Sequence, residues 1–368
     1  MSKKKILIIS PLPPPVHGMS IATEYIINEL KLSGYWFLSY VNTATSKKIE
    51  STNQQGKIKF FKIIFFIKNI LKGLYRIISL RPDILYVAIP QSFLGYCSYL
   101  PYILLAKILS SKVIIHFHGA KFNKLFNNRF YGYLLVKVTI IFVDRVIVLG
   151  QSIKYSLINI FPENMIEICE NGVFRPESIP VTSVNTEKRN ILFLSNLMES
   201  KGILVLLRCL KNNPCLFDRF TVTICGQFDG RSVEIKSLLH ELSASINFKG
   251  PVYGSAKDKV LRSADIFVLP SFNEGQPLSI LEAYMYGCCV ITTTVGGIVD
   301  IFQDKLNGYK ISVNDPECLF EKLWGLQPHE VIKIGIYNRN FAFEKFSIKS
   351  FVNRVESVFI KVLRNDNV

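Results

Sequence analysis

Two carboxylates stand close together in the stretch SFNEGQPLSILEAYMYG, which runs from Ser271 to Gly287. They are Glu274 and Glu282, with seven residues between them, in a chain of 368 residues that holds only 28 Asp and Glu. The flanking runs ADIFVLP and CCVITTT are short and rich in β-formers. Between them, PLSILEAYMYG opens with Pro277 and closes with Gly287, the punctuation of a helix. The stretch therefore reads as strand, loop, helix, strand, a single βαβ unit. Glu274 falls in the loop at the carboxyl end of a strand, where open α/β sheets bind ligands. The amides of Leu278 and Ser279 sit at the helix N-terminus, a natural anion site. Glu282 lies one turn further on, its side chain tilted back toward that terminus. Phosphate does not want carboxylate neighbours, but the hydroxyls of a sugar attached to phosphate do. A sugar nucleotide would use both features. A solvated loop glutamate beside one placed for the helix dipole is the alternative, and these residues alone leave both open.

Four other places carry chemistry-bearing residues. PPPVHGMS (Pro13 to Ser20) follows the first strand-like run; a helix begins at Met19, and Gly18 lets backbone amides approach an anion closely. Whether His17 is functional or only a loop residue is left open. HFHGAKF follows another strand, and its His116 and His118 are read as alternating to opposite faces. Neither HExxH nor a third ligand stands near them, so no metal is expected. LSNLMESKGI places Lys201 at the start of a helix, where a cation opposes the helix dipole unless it compensates a bound diphosphate. TICGQFDG ends a strand in Gly226, which again permits close backbone approach.

The elements that must position these residues alternate regularly. The first half offers KILIIS, WFLSYV, DILYVAI, KVIIHFH, RVIVLG and MIEICENGV as strands with helical patterns between them. The second half offers NILFLSNL, FTVTICG, INFKGPV, DIFVLP and CVITTT. Both halves are doubly wound α/β by pattern. The predicted division is residues 1–175, a polar linker at 176–189, residues 190–345 and a terminal helix within 346–368. A cleft between two such domains would face the carboxyl ends of both sheets.

Hydrophobic content of 49% and charged content of 20% describe a globular chain. Eight cysteines without a CxxC pair fit reduced thiols in a cytoplasm rather than disulfides or zinc. MSKKKILIISPLPPP has too short an apolar run for a signal peptide. Charge is more telling. Residues 1–170 hold 21 Lys and Arg against 8 Asp and Glu, so about +13 of the total +16 lies there. Such a field points to an anionic partner of the first half, nucleic acid or membrane headgroups.

Three segments are apolar enough to raise the question of a membrane span. Residues 84–109 are interrupted by Pro90 and Pro101, and residues 132–150 enclose Lys137, Asp144 and Arg145. Both are read as core. Residues 57–81 differ. At helical pitch Lys62, Lys68, Asn69, Lys72 and Arg76 gather on one face, and Ile63, Ile64, Phe66, Ile67, Ile70, Leu71, Leu74 and Ile78 on the other. Phe61, Phe65 and Tyr75 intrude on the basic side. That pattern suits a helix lying in the plane of an anionic membrane surface; a core helix with a basic outer face is the alternative.

Taken in order, NILFLSNLMESKGI, ICGQFDG, NFKGPV, ADIFVLPSFNEGQPLSILEAYMYGCCVITT, VGGIVD and NGYKI resemble the motifs of retaining glycosyltransferases with the GT-B fold, most closely the family 4 group. The likeness is strongest over residues 190–310. It is sparser in the first half, where PPPVHG, HFHG and NGV match. The resemblance implies two doubly wound Rossmann-like α/β domains facing across a cleft, with the C-terminal helix crossing back to the first. It implies that Lys201 neutralises the donor diphosphate, Glu282 holds the ribose hydroxyls, Glu274 contacts the transferred sugar and His118 lies at the reacting centre. Donor contacts would also come from Gly18, Ser195, Asn196, Gly226, Gly275, Leu278 and Ser279. Asn196 is a departure, since similar proteins carry Arg there. The co-substrate implied is a nucleoside-diphosphate sugar, with no further cofactor and no metal. Lipid-linked saccharides of capsule, exopolysaccharide or O-antigen are the usual acceptors of similar bacterial proteins, which sets the expected location at the inner face of the plasma membrane, peripheral and cytoplasmic. A soluble acceptor and a noncatalytic membrane protein are the other readings. Nucleic acid is disfavoured, because no RNA-binding signature occurs and the aromatics lie within apolar runs.

Overall fold

The computed structural model describes residues 3–14, 16–44, 60–120, 122–127, 131–176, 188–228 and 232–364. They form two compact units. One gathers the chain as far as Gly172 together with the segment that starts at Ile348; the other runs Val173–Ser347. Of the expected linker, residues 177–187 lie outside the described residues.

The first unit is built on β1 (Lys5–Ser10), β2 (Phe37–Asn42), β3 (Ile84–Ile89), β4 (Lys112–Phe117), β5 (Arg145–Val148) and β6 (Ile166–Ile168). They form one parallel sheet in the order β2-β1-β3-β4-β5-β6. A parallel sheet is covered on both faces, which is why its strands read as continuous apolar runs. In β3, Leu85, Val87 and Ile89 enter one core with Ile77, Tyr102 and Leu135. Ile84, Tyr86 and Ala88 enter the other, with Ile26 and Leu30 from the helix Gly18–Ser33 and Phe351, Val355 and Phe359 from the helix Ile348–Arg364. The C-terminal helix thus returns to the first unit, where Trp36 Nε1 donates to Glu356 Oε1 at 2.6 Å.

The second unit holds β7 (Arg189–Leu194), β8 (Phe220–Cys225), β9 (Asn247–Gly250), β10 (Ile266–Leu269), β11 (Cys289–Thr292) and β12 (Gly308–Lys310). Its parallel order is β12-β11-β10-β7-β8-β9. The short β12, inside NGYKI, was not among the expected strands; the other eleven fall on the runs read from the sequence, β2 and β7 each reaching one residue beyond its run. In each sheet the strand order reverses beside the first strand, between β1 and β3 and between β7 and β10. Ligands of such sheets bind at that crevice.

The apolar segments resolve as follows. Residues 84–109 form β3 and the helices Phe93–Cys97 and Leu100–Ile108, and residues 132–150 form the helix Gly132–Phe142 and β5. Among the described residues no helix is long and apolar enough to cross a membrane. The core reading of 132–150 needs a correction, though. The helix Gly132–Phe142 buries Gly132, Leu135 and Thr139 but leaves Tyr133, Leu134 and Ile141 exposed.

The basic segment forms the helix Phe60–Leu80. Its residues 57–59, and the side chains of 60–66, lie outside the described residues. Its faces are also not as expected. The inward seam runs through Ile70, Gly73, Leu74, Ile77 and Leu80, because Tyr102 of the neighbouring helix seats on Gly73. A Cβ added at Gly73 would lie 2.4 Å from Tyr102 Cε1, and Tyr102 Oη donates to the Asn69 carbonyl at 3.1 Å. Ile67, Leu71, Tyr75 and Ile78 consequently form an exposed row beside Lys68 and Lys72. Arg76 is tied down, its Nε donating to Ser39 Oγ at 2.9 Å.

Phe359 is fully buried, edge-on to Tyr86 and Trp36. Phe359→Ala is expected to cost about 3–5 kcal/mol in urea unfolding. Ile360→Ala, on the outer side of the same helix, should cost less than about 1 kcal/mol. Equal losses would show that the terminal helix does not complete this core.

Candidate active site

In the second unit the loops after β7 and β10 meet. A 3-10 turn, Glu199–Lys201, leads into the helix Ile203–Asn212 through Gly202, whose φ of 75° lies in the left-handed region. A Cβ there would stand 1.9 Å from the Pro270 carbonyl oxygen, so only glycine lets the two loops approach this closely. Phe272 N also donates to the Ser200 carbonyl at 3.0 Å. This contact puts Lys201 against Glu274. Lys201 Nζ donates to both carboxylate oxygens, at 2.7 and 2.8 Å, and Ser271 Oγ donates to Oε1 at 2.8 Å. The Glu274 side chain is 7% exposed and that of Lys201 28%. The Glu274 carbonyl accepts from Gly297 N at 3.0 Å, joining this loop to the one after β11.

Glu274 and Glu282 are not paired with each other; each has its own lysine. Glu282 lies on the helix Leu278–Met285 and accepts from Lys257 Nζ at 2.6 Å. That helix starts at Pro277 without a side-chain cap, so the amides of Leu278 and Ser279 open it as the sequence suggests. Gly275 lies between Glu274 and Gln276 in the same loop. On the neighbouring loop, Ser195 N donates to the Cys225 carbonyl at 3.1 Å, and a Cβ at Gly226 would lie 1.7 Å from the Ser195 carbonyl oxygen. Asn196 gives its carbonyl to Met198 N at 2.8 Å. Sequence reasoning missed Lys257, Ser271 and Gly202. Of these only Gly202 left a signal, a glycine directly after a cation at the mouth of a helix.

In the first unit the loop after β1 carries His17, and the end of β4 carries His116, with His118 just beyond the strand. His17 is the N-cap of Gly18–Ser33: its Nδ1 accepts from Ser20 N at 3.2 Å, and its amide donates to Ser20 Oγ at 3.0 Å. Gly18 is the first residue of that helix. His116 and His118 do not lie on opposite faces. Residues two apart on a strand share a face, and their rings stack with centroids 3.9 Å apart. Tyr86 Oη and His116 Nδ1 share a hydrogen bond of 2.6 Å. Both ring nitrogens of His118 are buried without a partner among the described residues. Burial pushes His118 down to about 3, with the nearby His17 adding to the effect. Burial, then His118, holds His116 well below the ordinary histidine value. Both rings are neutral at physiological pH.

Two parallel Rossmann-like sheets, each reversing its strand order beside its first strand, make the architecture of the GT-B fold. Residues 174–324, within the second unit, match the family described as Glycosyl transferases group 1. Among curated relatives, an uncharacterized glycosyltransferase of Methanocaldococcus jannaschii is 27% identical over 50% of this chain and 50% of its own length. A second from the same organism is 25% identical over 96% of this chain and 97% of its own. The UDP-Gal:alpha-D-GlcNAc-diphosphoundecaprenol alpha-1,3-galactosyltransferase of Escherichia coli is 31% identical over 29% of this chain and 28% of its own. The chain thus spans half or less of the length of the first curated relatives it matches. Solved structures share the architecture. The sucrose-phosphate synthase of Thermosynechococcus elongatus has a TM-score of 0.77 at 15% identity, covering 99% of this chain and 100% of its own. Anabaena HepE in complex with UDP-glucose has 0.73 at 13%, covering 97% and 99%.

The depressed His118 fixes a pH dependence. The unfolded chain binds a proton at this residue near 6.5, and the fold refuses it until about 3. Between those values the unfolded state holds more protons, so stability is complete above pH 6.5 and is lost as pH falls. From pH 7.5 to 4.5, His118→Gln should remove on the order of 2–3 kcal/mol of the fall in urea-unfolding free energy. Parallel curves for parent and variant would show that His118 ionises within the fold.

Proposed function

We propose that this protein is a retaining glycosyltransferase of the hexosyl type. It moves a sugar from a nucleoside-diphosphate sugar to a lipid-linked saccharide during assembly of a bacterial surface polysaccharide such as capsule, exopolysaccharide or O-antigen. The observation that carries this reading is the Lys201–Glu274 pair at the β7/β10 crevice, within the segment that matches the group 1 family. An ammonium has three protons, and Glu274 takes two. The third is free for a phosphate oxygen without dismantling the pair. As the glycosidic bond to the diphosphate breaks, negative charge grows on the leaving group. Lys201 and the amides of Leu278 and Ser279 stabilise it there.

Glu282, steadied by Lys257, accepts from the ribose hydroxyls, and Glu274 accepts from the transferred sugar. Ser195, Asn196, Gly226 and Gly275 bring backbone close to the donor, and Gly18 offers its amide to phosphate. His118, neutral and with both nitrogens without a partner among the described residues, serves the reacting centre. Retention follows from the family 4 resemblance. No metal takes part in this scheme. HepE, solved with UDP-glucose, and the E. coli galactosyltransferase, whose name specifies a diphosphoundecaprenol-linked acceptor, support a nucleotide-sugar donor and a lipid-linked acceptor. The basic helix Phe60–Leu80 would hold the enzyme peripherally at the cytoplasmic face of the membrane where such an acceptor resides.

Donor binding separates the roles. Lys201→Ala should weaken UDP binding in calorimetry and lower kcat/KM for donor hydrolysis by about 2–4 kcal/mol of transition-state stabilisation. Glu282→Ala should weaken UDP and UDP-glucose alike, whereas Glu274→Gln should spare UDP and reduce turnover. Parent-like UDP affinity in Lys201→Ala would remove the diphosphate assignment. The membrane role is tested separately. Because Arg76 is engaged with Ser39, only Lys62, Lys68 and Lys72 are replaced by Ser. At roughly 1 kcal/mol per cation, the triple variant should leave anionic vesicles while keeping donor hydrolysis. Undiminished vesicle binding would rule out this helix as the electrostatic anchor.

A further inference from the structure

We propose that the helix Gly132–Phe142 is a second membrane-contacting element, whose outer row Tyr133, Leu134 and Ile141 enters the headgroup region of an anionic bilayer. The inference rests on the membrane reading above and extends it to a part of the chain that lacks the basic helix's charge pattern.

Three helices, Phe60–Leu80, Leu100–Ile108 and Gly132–Phe142, cover the same face of the first sheet. Ile77, Tyr102, Ile103 and Leu135 all enter one core. The middle helix touches both others, so the outer sides of the three form a continuous layer. That layer is unusually apolar. Leu134 and Ile141 are each 62% exposed, and Ile108, at the end of the middle helix, is 74% exposed. Tyr133, Leu134, Lys137 and Ile141 lie within an arc of about 100° on their helix, opposite the buried Leu135 and Thr139. The one charge in that arc, Lys137, holds its ammonium 4.7 Å over the Tyr133 ring, the placement of an interfacial aromatic with a cation at its rim.

Charge identifies the occupant. Between residues 51 and 143 there are 13 Lys and Arg and a single acidic residue, Asp83. Its carboxylate is bound by Lys4 Nζ at 2.8 Å and by Lys5 N at 2.7 Å. A layer with contiguous apolar rows, Lys68, Lys72 and Lys137 beside them and almost no carboxylates complements an anionic lipid surface. Apolar faces of this extent are otherwise covered in monomeric proteins.

The test is sedimentation of the full chain with vesicles of phosphatidylcholine alone or mixed equally with phosphatidylglycerol, at low and high salt. Leu134→Ser combined with Ile141→Ser should retain the parent's circular dichroism and melting curve. Its partition onto the mixed vesicles at high salt should fall about tenfold or more, because salt screens the lysines and leaves the apolar contribution. Leu134→Val with Ile141→Val should stay within about threefold of the parent. Parent-like binding by the Ser pair would overturn the proposal. So would a Ser pair that binds vesicles normally but loses self-association in analytical ultracentrifugation, which would make this face an interface between copies of the chain. Failure of the helix Phe60–Leu80 reading shows instead in the lysine triple variant, so the two outcomes are separable.

Discussion

The second unit's offer to a ligand depends on one ion pair. Glu274 is nearly out of water, and an unpaired carboxylate there would be strongly destabilising. Lys201 and Ser271 together give it three donors. The pair exists because two loops approach so closely at position 202 that a Cβ there would stand 1.9 Å from the Pro270 carbonyl oxygen, leaving no room for a side chain. What results is a cation whose position is fixed by protein contacts alone; under the proposed function, ordering it costs the diphosphate little.

The candidate clusters of the two units treat their ionisable groups differently. In the second, charges are kept and matched. Beside Lys257–Glu282, Tyr286 Oη donates to Asp258 Oδ1 at 2.5 Å and Arg262 Nε to Oδ2 at 2.6 Å. The Arg262 hydrogen bond, then that of Tyr286, holds Asp258 below its ordinary value. In the first unit, the histidines at the end of β4 are kept without charge, stacked and desolvated. Under the proposed function the difference suits the chemistry each would meet: a diphosphate needs fixed countercharge, whereas a group beside a forming oxocarbenium ion must not repel it.

Much of this was legible beforehand because it is local. A βαβ unit is written in neighbouring residues, and so is the placement of Glu274 and Glu282 at its mouth. Their lysines were not legible as partners, since Lys201 and Glu274 are 73 residues apart and Lys257 and Glu282 are 25 apart. Only the sheet order brings them together. The strand β12 escaped notice because three residues, Gly308 to Lys310, are too few for any period to emerge. On the helix Phe60–Leu80 the apolar surplus was visible, but which of its rows turns inward is decided by Tyr102 on another helix. The histidine pair was a simpler matter of parity, and the two-residue period of a strand already required the arrangement found.

The helix Ile348–Arg364 follows the second unit in the chain, yet it closes a core of the first. Synthesis therefore imposes an order on folding. While the ribosome is still adding the second unit, Ile26, Leu30 and Tyr86 have no Phe351 or Phe359 to rest against, and that face of the first sheet stays open. The second unit, continuous from Val173 to Ser347, can finish before it. For this interval the nascent chain carries an uncovered apolar surface, the kind of site that chaperones engage.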